Sequence, residues 1–153
     1  MIWVKRLILC AAVVLTVLPT LTLRAETPAA ILWYTDLDKA REASKSENRH
    51  ILLYVTSENC LHCRRMDHDT FANRDVVTEV EETFVPAIVN ASAHPAWVSK
   101  LKVATYPTTF IITPDWKVVG SLSGYESPDK FRDWLTDEVA KVAAKKEAET
   151  KKR

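Results

Sequence analysis

Cysteine is scarce here: the 153-residue chain has three, Cys10, Cys60 and Cys63. A disulfide scaffold needs several bridges joining distant segments, so that class is excluded. Charge of one sign is also missing. The chain carries 21 Lys and Arg against 20 Asp and Glu, a balance with no signature of nucleic-acid binding. Long apolar runs are confined to the N-terminus, where residues 7–18 are apolar apart from Thr16. Glycine is rare, with two in the chain, and decides nothing.

That N-terminal run has the layout of a secretory signal peptide. Lys5 and Arg6 precede it, Pro19 follows it, and Leu23-Arg24-Ala25 offers a cut after Ala25. The other reading is an uncleaved anchor, in which case the protein meets a membrane through this segment alone. Residues 7–23 are short for a span and interrupted by Pro19, which favours cleavage. Cys10 lies inside the run without the small residues that precede a lipidated cysteine, and it receives no role. Cleavage removes Lys5, Arg6 and Arg24 from the 21 basic residues, leaving 18 against 20 acids. The expected mature chain then keeps two cysteines, Cys60 and Cys63, and resides in the periplasm or another exported location.

Cys60-Leu61-His62-Cys63 follows an apolar run, Ile51–Val55, that reads as a buried strand, and opens a stretch to Phe71 that reads as a helix. At a strand-to-helix junction the first sulfur meets unpaired N–H groups and the positive end of the helix dipole, which favour a thiolate. The second lies one turn on, close enough to close or resolve a disulfide. A loop this short restrains the unfolded chain very little, so stabilisation is a poor reason for the pair. Redox or metal chemistry remains. Thiolates suit zinc or copper. His68, the nearest extra ligand outside the loop, would sit about 12 Å along the helix axis from Cys60 and point away from Cys63 by roughly 140°. Redox exchange is the favoured reading.

The remaining chain supplies a frame for this pair. Residues 31–34 are a short edge strand or an apolar cover. Asp36 caps a helix running to about Ser46, and the first firm strand spans 50–56. Helices are expected over 75–82 and 93–101, strands over 84–89 and 108–113, and a tight turn at 114–117 into a strand over 118–122. Ser127 and Pro128 start a last helix with Phe131, Trp134, Leu135 and Val139 as its apolar stripe. Residues 141–153, with six basic and two acidic side chains, are expected to fray. The alternation implies an α/β fold, a mixed central sheet with helices on both faces. The expected domain is 26–140, between the signal peptide (1–25) and the tail (141–153).

These residues resemble the thioredoxin superfamily, and most closely its exported thioredoxin-like members. The likeness rests on Cys60-Leu61-His62-Cys63-Arg64-Arg65-Met66 with Thr70-Phe71, on Val103–Phe110 around Tyr106-Pro107-Thr108, and on Gly120 through Gly124-Tyr125. It covers roughly residues 31–140 and implies a thioredoxin fold. It also implies a protein-disulfide oxidoreductase in which Cys60 is the exposed nucleophile and Cys63 the buried resolving thiol. Pro107 is similar to the family's cis-proline, an X-Pro bond being the ordinary place for a cis peptide; the other reading is a trans turn proline. Tyr106 before it would contact substrate, and Asn59 would rim the site with Glu58. Two departures stand out. Asn59 replaces the family's usual Trp, and Tyr54 replaces its buried Asp, so the general-base step does not carry over.

His62, between the cysteines, is expected to tune the Cys60 thiolate by a hydrogen bond or positive charge; a plainly exposed histidine is the bland alternative. A stabilised thiolate makes a stronger oxidant, which leans towards an oxidase or isomerase. The Met66 and Thr70-Phe71 likeness leans towards reductants. His50, His68 and His94 have no assigned partner. Trp33, Trp97, Trp116 and Trp134 read as cover. The expected partners are client proteins with cysteines and a redox partner that resets the pair, with no bound cofactor, no metal and no nucleic acid. A copper or zinc carrier built on the two thiolates is the alternative, and an inactive adaptor a third reading.

Overall fold

A computed structural model describes residues 30–152; the expected signal peptide lies outside them. Helix α1 (Leu37–Glu47) begins where the Asp36 carboxylate accepts from the N–H groups of Asp38 and Lys39, at 2.9 and 3.2 Å. It ends at Asn48, which takes the left-handed conformation (φ 52°). Strand β1 (His50–Thr56) leads to α2 (Leu61–Arg65), a wide π turn (Met66–Thr70), and α3 (Arg74–Thr83). Strand β2 (Phe84–Asn90), α4 (Pro95–Lys100), β3 (Thr108–Ile112), β4 (Val118–Ser123) and α5 (Pro128–Lys151) follow.

The four strands lie in the order β2-β1-β3-β4. β1 and β2 are parallel, whereas β1–β3 and β3–β4 are antiparallel, which makes the mixed sheet that the alternation implied. Residues 31–34 contribute one parallel bridge, Tyr34 to Ala87, beside the β2 edge. β1 is the central strand, and Ile51 to Val55 are buried on both of its faces. Leu52 and Tyr54 pack with Met66, Phe71, the α3 valines 76, 77 and 80, and Phe131 and Leu135 of α5. Ile51, Leu53 and Val55 pack on the other face with Leu37 and Ala40 of α1, and with Trp97 and Val98 of α4. Alternation along a buried strand therefore builds two cores at once.

The structure corrects three expectations. The expected helix from Cys60 to Phe71 is unbroken but not α-helical throughout: its second half is the π turn, in which the Phe71 N–H reaches the Met66 carbonyl five residues back, at 2.9 Å. Met66, Thr70 and Phe71 are all buried, and the widened turn lets residues five apart share the core-facing side. The tail does not fray after Ala140: α5 runs to Lys151, through Ala, Lys and Glu residues that favour helix. The apolar stripe of α5 stops at Leu135, and Val139 is exposed. Ser127 and Pro128 do begin α5, although the Ser127 hydroxyl makes no capping bond.

Candidate active site

Cys60 and Cys63 are joined as a disulfide with a Cα–Cα separation of 5.2 Å. Cys60 is the N-cap of α2, where its sulfur accepts a hydrogen bond from the Cys63 N–H at 3.0 Å. The first sulfur thus lies on the unpaired donors of a helix start, and Cys60 remains partly exposed. Cys63 is 2% exposed, buried one turn further in. Asn59 turns the chain into the site with φ 56° and is exposed, as is His62 on the outer side of α2. Leu61 between them is 68% exposed.

The proline loop arrives from β3. The Tyr106–Pro107 bond is cis. Pairing of Val55 with Thr108 puts Pro107 and Tyr106 at the end of the sheet where β1 delivers the chain towards Cys60. Pro107 is buried, while Tyr106 is half-buried and leans on the core shared with α1 and α4. The loop is tied down twice: the Thr108 hydroxyl donates to the Thr105 carbonyl at 2.7 Å, and the Gly124 N–H donates to the Pro107 carbonyl at 2.7 Å. Gly124 has φ 91°, a conformation that suits glycine.

The floor of the site is aromatic. Tyr54 is fully buried beneath the cysteines, with its ring 4.8 Å from Phe71 and 5.7 Å from Trp33, and its hydroxyl donates to the Cys63 carbonyl at 3.3 Å. Burial, reinforced by the Asp67 carboxylate nearby, pushes the Tyr54 phenol well above its ordinary range, so it keeps its proton. Asp67 belongs to no motif in the sequence, and nothing there marks it for a role. Its carboxylate reaches water on one side and leans on the protein beside Tyr54 on the other. That partial loss of solvent raises its pKa, while the Tyr54 hydroxyl beside it opposes the shift.

A second polar group flanks the site. Asp69 accepts from Arg65 Nε at 3.2 Å and from the Tyr125 hydroxyl at 3.2 Å, and pairs with His68 Nδ1 at 2.9 Å. The hydrogen bond from His68, then that from Arg65, holds its carboxyl below the usual carboxylate range. Arg65 also stacks over the Tyr125 ring at 4.1 Å. His68 is therefore engaged with Asp69 and not turned towards the sulfurs. His50, half-buried at the start of β1, has its pKa lowered by burial and then by Lys146. No group of three or more His, Cys, Asp or Glu side chains suited to a metal occurs among the described residues.

Residues 37–138 match the model of a thioredoxin-like domain family, which is two thirds of the chain, and the protein belongs to that family. Its fold is shared by solved structures of low sequence identity. The DsbH oxidoreductase is 15% identical at a TM-score of 0.68, over 76% of this chain and 90% of that one. A thioredoxin from Thermus thermophilus is 24% identical at a TM-score of 0.65, over 71% and 86%. The oxidised C-terminal domain of DsbD from Neisseria meningitidis is 22% identical at a TM-score of 0.59, over 69% and 98%. No curated protein sequence matches the chain.

Proposed function

We propose that this protein is an exported thiol–disulfide oxidoreductase that exchanges the Cys60–Cys63 disulfide with the thiols of client proteins. One observation carries the reading: a partly exposed sulfur on a helix start is bonded to a buried sulfur one turn away, at the end of the sheet that presents the Tyr106-Pro107 loop. The names of the similar structures, an oxidoreductase, a thioredoxin and a DsbD domain, are consistent with it. The Cys60 thiolate attacks a client disulfide, a mixed disulfide forms, and Cys63 resolves it. Asn59, His62, Tyr106 and Pro107 rim the point of attack, with His62 available to stabilise the thiolate. A separate redox partner resets the pair, and no bound cofactor enters the cycle. The leader over residues 1–25 would deliver the protein to the periplasm or an equivalent compartment.

Trapping tests this reading. Cys63→Ser, mixed with a disulfide-containing peptide, should accumulate a covalent adduct through Cys60 that dithiothreitol releases. Cys60→Ser should form none. Equal adducts from both variants, or none from either, would overturn the assignment of nucleophile and resolving thiol.

A further inference from the structure

The two arms of the site come from distant parts of the chain. Cys60 and Cys63 lie where β1 passes into α2, and the Tyr106-Pro107 loop lies ahead of β3. Pairing of Val55 with Thr108 joins the arms within the sheet. Beyond the end of the sheet, residues 124–126 join them a second time. The Gly124 N–H donates to the Pro107 carbonyl at 2.7 Å. Its φ of 91° turns the chain out of β4, a conformation that suits glycine and strains an L side chain. The Tyr125 hydroxyl then donates to Asp69 Oδ2 at 3.2 Å, and the Glu126 carbonyl accepts from the Thr70 hydroxyl at 2.5 Å. Asp69 and Thr70 belong to the π turn that continues the helix from the cysteines. This short segment thus holds the proline loop with one end and the cysteine helix with the other.

The contact with the π turn is more than a surface ion pair. Asp69 Oδ2 also accepts from Arg65 Nε at 3.2 Å, and its Oδ1 meets His68 Nδ1 at 2.9 Å. The Arg65 guanidinium lies 4.1 Å over the Tyr125 ring. Each of Arg65, Asp69 and Tyr125 therefore holds the other two. The Tyr125 side chain also packs against the core that contains Tyr54 and Phe71. Thr70 is fully buried, so its bond to the Glu126 carbonyl is shielded from water. An ion pair between Arg65 and Asp69 alone would be a weak exposed contact within one helix, and the tyrosine is what extends it to a second segment.

We propose that Asp69 and Tyr125 are positioning residues that set the spacing between Cys60 and the Tyr106-Pro107 loop, and with it the grip on a peptide client. The inference rests on the exchange reading above. A client chain long enough to lie on both arms feels that spacing, and a site already held in place loses less freedom when the client binds. A small disulfide that meets Cys60 alone is indifferent to it. None of these bonds reaches a sulfur, so the chemistry at Cys60 is left as it is.

The test mixes the reduced full chain with rising concentrations of two disulfides that share a leaving group. One is hydroxyethyl disulfide, and the other is a linear peptide whose central cysteine is bonded to mercaptoethanol. Acid quenching and separation of the species give the rate at which the Cys60–Cys63 disulfide forms. With the peptide, Tyr125→Phe and Asp69→Ala should each raise the half-saturating concentration by about three- to tenfold and change the limiting rate by less than about twofold. With hydroxyethyl disulfide both variants should match the wild type within about twofold. The double variant should lose no more than the worse single one, because both changes break the same link. Asp69→Asn, which keeps an acceptor oxygen for Tyr125, should recover most of the loss. Unchanged peptide saturation in both single variants, or an equal loss with both disulfides, would overturn this inference and leave the exchange reading in place. A wild type oxidised by neither disulfide would overturn the exchange reading, and this inference with it.

Discussion

Tyr54 shows how one residue changes the question asked of a site. Its position in an apolar strand marked it as core, and it was legible as a departure from the family's buried Asp. That its hydroxyl would turn to the Cys63 carbonyl, and that Asp67 would meet it from the next turn, was not legible. Those facts depend on the rotation of the segment after Arg65. Cys60 and Cys63 were readable from backbone position, a helix start and one turn further in, whereas Asn59 and Pro107 entered only through the family resemblance. His50 makes a separate prediction at this scale. Burial first, then Lys146, lowers its pKa in the fold below the ordinary 6.5, so the unfolded chain binds the proton more tightly. The stability it supports is present above that ordinary value and is lost as pH falls through the folded one. Urea midpoints taken at about pH 7.5 and pH 5.5 should therefore fall less in His50→Gln than in the wild type. An identical drop in both would remove His50 as a cause.

At the scale of elements, caps and strands were the readable part. Asp36 and the Ile51–Val55 run carry local signals that tertiary packing does not overrule. The π turn was not readable, since a single extra residue per turn leaves no periodic mark and is selected by the burial of Met66, Thr70 and Phe71 together. Phe71 is the keystone of that selection, touching Tyr54 at 4.8 Å, Trp33 at 5.0 Å and Phe131 at 5.4 Å between ring centres. Phe71→Ala should cost about 3–5 kcal/mol, read from denaturant unfolding. A loss below about 1 kcal/mol would mean that the turn is held by something else. Arg49 gives a second, independent case. Its guanidinium donates to the carbonyls of Glu81 and Glu82 at the end of α3, at 2.7 and 3.4 Å, where a cation also suits the helix dipole. Arg49→Met should lose about 2 kcal/mol by the same measurement, and an unchanged midpoint would show that water replaces those bonds without penalty.

For the whole molecule, the order of strands and helices was legible because β1 reads as buried on both faces and the segments between strands read as helices. The end of α5 was not. Helix propensity carries it to Lys151, although little of it beyond Leu135 is buried. A chain ending at Ala140 should therefore unfold within about 1 kcal/mol of the full-length protein, whereas a larger loss would make the basic tail part of the fold. The proposed clients and resetting partner belong to this scale too, and both depend on the cysteine pair being chemically reversible. Equilibration of Cys60–Cys63 against glutathione tests that most directly. The account predicts a reversible two-electron midpoint between about −120 and −270 mV, at the upper end if His62 stabilises the thiolate and at the lower end for a reductant. No reversible titration, or a midpoint below about −300 mV where structural disulfides lie, would contradict it.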